Sequence, residues 1–127
     1  MHNRVVKLEP PENLLRTAQE LAEEAQKFLN SLEHAQEDNF YDRLAVFSRK
    51  VLPLLNEEIG RKMQTVFNST RKGGVPRTVA TETHVLVIFA TGHRSPQQYQ
   101  RVRALLQVFV DLPAVCKPQH QRLRRHA

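Results

Sequence analysis

Arg43, Lys50 and Arg61 follow one another at intervals of seven and eleven residues through the middle of the chain. On a continuous helix, at about 100° per residue, the three fall within about 20° of one another. They would then be spaced by roughly 10 Å and 16 Å along the helix axis. Guanidinium and ammonium groups in such a line can contact successive phosphates of a nucleic acid without reading its bases. Arg71, Lys72 and Arg77 extend the positive charge through the segment NSTRKGGVPRT. Arg122, Arg124 and Arg125 add a last basic cluster, suited to non-specific phosphate contacts, to nuclear localisation or simply to solubility.

The same chain offers little covalent or metal chemistry. It has no phosphate-binding glycine loop, no paired-cysteine metal spacing and no nucleophile elbow. Its six histidines are scattered, and no local spacing joins His84, His93 and Cys116 into a zinc set. Glu23-Glu24 and Glu57-Glu58 are neighbours on helices, where adjacent side chains diverge into solvent. The expectation is a protein that is not an enzyme and uses no metal or cofactor.

Charge is distributed unevenly. Residues 1–58 carry eleven acidic and seven basic side chains, whereas residues 59–127 carry two acidic and twelve basic ones. The formal net charge of +6 therefore combines an acidic front with a basic back. A field of that sign attracts polyanions, of which nucleic acid is the densest common one. The single cysteine excludes an internal disulfide and suits a reducing compartment. Met1–Leu8 holds no apolar run of signal-peptide length, and the longest apolar run, Val85–Ala90, cannot span a bilayer. These features predict a soluble protein of the cytoplasm (the host's, for a viral chain) or of the nucleus, with no membrane partner.

The elements that must carry these residues read as mainly helical. Leu14, Ala18, Leu21, Ala25, Phe28, Leu32 and Ala35 recur at alternating steps of four and three, a heptad seam on a helix of about 11–36. Phe40, Leu44, Phe47, Val51, Leu55, Ile59, Met63 and Val66 form a second apolar stripe over 40–68. Pro53 lies inside it and predicts a kink or two abutting helices, with Asp38 or Asn39 as the cap. The short link between the two stripes predicts an antiparallel hairpin. Residues 84–90 favour a buried strand, with a helix as the alternative reading of the same segment. Ser95-Pro96-Gln97-Gln98 opens a third helix over 96–111. One helical domain over 1–112 with a basic flexible tail over 113–127 follows. A single hairpin leaves part of its seam (Leu14, Leu21, Phe28, Leu32, Phe47) uncovered, so a homodimeric helix bundle is expected.

With Pro11, Leu14, Ala18, Gln19 and Glu20 opening one helix and basic side chains along the helix around Asp42–Met63, the hairpin resembles the double-stranded-RNA-binding suppressor of RNA silencing made by nodaviruses. The resemblance covers roughly half of the chain; segment 75–112 has no counterpart. It implies a dimeric bundle of two hairpins lying along one face of duplex RNA, binding backbone and groove shape and shielding the duplex from cleavage. Arg43, Lys50 and Arg61 would be the equivalent surface.

The sequence thus points first to sequence-independent duplex RNA binding. An adaptor or chaperone that uses the heptad seam to hold a protein partner is the alternative. A small DNA-binding regulator is a further one, although no compact helix-turn-helix is visible. The RNA reading predicts a gel shift with duplex RNA that weakens steeply with salt and is abolished by reversing the charges of Arg43, Lys50 and Arg61 together.

Overall fold

In the computed structural model, which describes residues 11–34, 39–70 and 77–117, five α-helices pack around one apolar core. They are α1 (Pro11–Ser31), α2 (Phe40–Leu54), α3 (Glu58–Thr70), α4 (Val79–Thr91) and α5 (Pro96–Val115). A single 3₁₀ turn, Leu32–His34, continues α1.

Six positions of the heptad seam, Leu14, Ala18, Leu21, Ala25, Phe28 and Leu32, are all buried, and the seventh, Ala35, lies outside the described residues. Its main cover, however, is α5 rather than α2. Helix α2 packs chiefly on α4, and α5 also meets α3 and α4. The first two helices therefore touch through long side chains: Phe28 reaches Phe40 edge-on at 5.6 Å between ring centroids and Phe47 at 5.4 Å. Phe47 in turn meets Phe109 of α5 at 5.5 Å. Leu14, Leu21, Phe28, Leu32 and Phe47 are thus buried within one chain. A second copy is not needed to cover them.

The second stripe breaks into two helices. Pro53 lies in the last turn of α2, which ends at Leu54, and α3 begins at Glu58. The corner is closed by short turns, Leu55 N–H to Leu52 O at 3.2 Å and Glu57 N–H to Leu54 O at 3.0 Å. Gly60 lets α3 leave this corner, because a Cβ there would stand 2.3 Å from the Leu55 carbonyl oxygen. Asn39 occupies the cap position of α2, but its side chain makes no capping hydrogen bond. Asp38, the other candidate cap, lies outside the described residues.

Segment 84–90 is not a strand but the body of helix α4. Ile88 lies on the exposed face of this helix while Glu82 and Thr83 are buried, so its sequence shows no amphipathic period and its apolar run imitates a strand. The end signals decided the matter. Thr78 caps the helix by accepting from the Thr81 N–H at 3.1 Å, and Gly92 terminates it with φ near 147°. The threonines are accommodated by hydroxyls that bond back one turn, Thr83 to Val79 O at 2.8 Å and Thr91 to Val87 O at 2.9 Å. Gln64 of α3 accepts from the Val79 N–H at 2.9 Å and so ties α3 to the start of α4.

Helix α5 opens on the capping box read from Ser95 and Gln98, each side chain bonded to the other's backbone N–H at 3.2 Å. It runs past the expected end at 111, through Pro113 to Val115, and both Leu112 and Cys116 are buried. The packed part of the chain therefore includes 113–116, the first four residues of the expected tail. No helix among the described residues is long and apolar enough to cross a membrane.

The corner at Gly60 is a point of close backbone approach and should tolerate no side chain. Gly60→Ala is expected to destabilise the fold by about 1–3 kcal/mol, the usual cost of overpacking, read as a lower urea midpoint at unchanged slope.

Candidate binding groove

Because α1 lies on α5 and α2 on α4, a furrow of about 360 Å³ opens between α1 and α2. One wall is Glu24, Lys27 and Phe28 of α1; the other is Arg43, Val46, Phe47 and Lys50 of α2. The residues on α2 follow at steps of three, one and three, which places them on one helix face. The Phe28 and Phe47 rings form an apolar floor that is largely buried. Val46 stands at the mouth with 65% of its surface exposed, the most exposed large apolar side chain among the described residues. Burying the rest of it would contribute about 1 kcal/mol.

Three cations rim this floor. The Arg43 guanidinium lies over the Phe28 ring, 5.9 Å from its centroid. Lys50 donates to Glu24 across the furrow at 2.6 Å, with both side chains roughly half exposed. An exposed pair of this kind is worth about 0.2–1 kcal/mol, so a ligand carboxylate or phosphate can compete for Lys50 at little cost. Lys27 stands on the α1 side. Among the described residues Glu24 is the one acid in the lining, beside the three cations Lys27, Arg43 and Lys50.

The structure thus brings Arg43 and Lys50 together and leaves Arg61 apart. Arg61 belongs to α3, beyond the break at Leu55–Glu57, so the straight-helix alignment of all three does not hold. Arg77 lies elsewhere, 3.9 Å from Glu82. Arg71, Lys72, Arg122, Arg124 and Arg125 lie outside the described residues. Lys27 and Val46 were missed by sequence reasoning. Val46 had a visible signal, being apolar yet off the α2 stripe and three residues from Arg43. Lys27 looked like any charge beside a seam.

Elsewhere four arginines of the back half, Arg77, Arg94, Arg101 and Arg103, are engaged in the fold itself. Glu82, 3% exposed, accepts from Arg101 Nε at 3.0 Å and from Arg101 Nη2 at 2.5 Å. That hydrogen bond raises the Arg101 pKa above its ordinary value, against the opposing effect of burial. Arg103 bonds Glu33 at 3.1 Å and fastens the end of α1 to α5. Arg94 lies 3.6 Å from the centroid of the Tyr41 ring and donates to Ala90 O. A second hollow of about 350 Å³ lies beside that stack, between Tyr41, Phe89 and Tyr99. It has fewer cationic walls than the furrow, and its one guanidinium is already stacked.

Cys116 is buried, and burial pushes its thiol up to about 11, which leaves almost no thiolate at neutral pH. Among the described residues no three His, Cys, Asp or Glu side chains gather as a metal set. No protein-family model, curated protein or solved structure matches the chain, so the furrow is read from its own residues.

Proposed function

We propose that this chain is a non-enzymatic protein-interaction module that holds a segment of a partner protein in the furrow between α1 and α2. The observation that supports it is the combination of an apolar floor with an exposed apolar lip at Val46 and a rim of cations. Phosphates would use the rim alone. A protein segment uses both, since it carries apolar and polar side chains at fixed spacing on one face. This is the adaptor reading with a different surface: the heptad seam itself is buried against α5 and serves the core.

Duplex RNA binding without sequence choice, as in a silencing suppressor, is the second reading. It is favoured by the sequence pI of about 10.0 and by the presence of Arg43, Lys50 and Lys27 at one exposed place. On that reading the floor would be idle and the backbone of the duplex would meet only the rim. A homodimer is compatible with either reading and would use a face other than the buried seam.

Val46 separates the two, since its exposure makes Val46→Glu compatible with the fold. A selection of displayed helical peptides on the full chain should enrich binders, and Val46→Glu should remove the enrichment at least tenfold. Absence of any enrichment, or enrichment indifferent to Val46→Glu, would contradict the protein reading. Duplex RNA retained by the wild type, lost with Arg43→Glu and Lys50→Glu and indifferent to a neutral Val46→Ser, would establish the second reading instead.

A further inference from the structure

We infer that the segment held in the furrow is an acidic amphipathic helix, an inference that rests on the protein-interaction reading above and adds the partner's chemistry. Three features of the furrow carry it. The floor is a narrow apolar strip between two helices, formed by Phe28, Phe47 and the exposed Val46, and so fits a row of apolar side chains. A volume of about 360 Å³ lies near the lower end of ligand sites, which run to about 1,000 Å³. It accommodates a few inserted side chains, with the body of the partner lying outside.

The cations then set the partner's charge and spacing. Arg43 and Lys50 are two helical turns apart on α2, roughly 10 Å along its axis. Lys27 faces them from α1. A partner helix laid along the furrow would present apolar residues at i, i+3, i+4 and i+7 to the floor. Carboxylates seven positions apart on one flank would match Arg43 and Lys50, and a carboxylate on the other flank would match Lys27. Glu24 already plays the part of such a carboxylate, bonded to Lys50 at 2.6 Å. The incoming acid can take the place of Glu24 on Lys50, exchanging one exposed ion pair for another. A basic or neutral helix finds the same floor but a rim of the wrong sign, so charge supplies the specificity and the floor supplies the attachment.

The test is a titration of the full chain with two synthetic eighteen-residue helices, read by fluorescence anisotropy. Both carry leucine at i, i+3, i+4 and i+7; one has glutamate on the flanks and the other glutamine. The glutamate peptide should bind at least tenfold tighter at low ionic strength, and the gap should close as salt is raised. Arg43→Gln with Lys50→Gln should bring the glutamate peptide to the level of its twin while leaving the far-ultraviolet circular dichroism unchanged. Equal binding of the two peptides to the wild type would overturn the acidic partner and leave the protein reading standing. No binding of either peptide would overturn both. Binding of a twenty-one-base-pair RNA duplex alone, sensitive to the same double variant, would transfer the rim to nucleic acid.

Discussion

The contact between the first long helix and the last is the constraint on which the other arrangements depend. With α1 laid on α5, the seam of Leu14, Ala18, Leu21 and Ala25 is shut within one chain, and the alanines permit close approach. The second helix then takes α4 as its support, and α1 and α2 meet through the Phe28, Phe40 and Phe47 rings, with the Lys50–Glu24 pair and Arg43 over Phe28 above them. The furrow is a consequence of that geometry. Its floor is core aromatic residues seen from outside, and its lip is Val46, which the α2–α4 packing leaves facing solvent.

Charge has two separate uses in this molecule. In the back half, four of the described arginines are matched to particular partners. Arg101 and Arg77 meet the buried Glu82, Arg103 fastens Glu33, and Arg94 covers Tyr41. A buried carboxylate left without such partners would be costly, so these arginines belong to the architecture. Around the furrow the cations are exposed, and Glu24, the one carboxylate among the described lining residues, is held in an exposed, exchangeable pair. Net charge alone hides this division, because it counts structural and surface arginines alike.

Much of the architecture was legible in the sequence. The period of α1, the apolar stripe of α2 and α3, the break near Pro53 and the capping box of α5 all act through local rules, and all appear. The segment that became α4 reads first as a strand, because its apolar run VLVIF continues onto the exposed face at Ile88 while Glu82 and Thr83 sit on the buried one, which blurs the helical period. Its ends were informative: Thr78 and Gly92 are cap residues of a helix. The partner of α1 was not legible either, since it depends on which of several apolar faces meets the seam, a question of three-dimensional packing rather than spacing. Part of the site was visible, in Arg43 and Lys50. The inclusion of Arg61 relied on a helix continuous through Pro53, and the corner at Gly60 removed it. Lys27 became part of the site only when the fold carried it to the opposite wall.

The account stands on the furrow between α1 and α2 being the working face of the molecule. The most direct measurement is nitrogen-15 chemical-shift mapping of the full chain during titration with an acidic amphipathic helical peptide. Perturbations should concentrate at residues 24–28 of α1 and 43–50 of α2, with Val46 among the largest. Perturbations concentrated on α3 or on the outer side of α5, with Val46 unmoved, would contradict it.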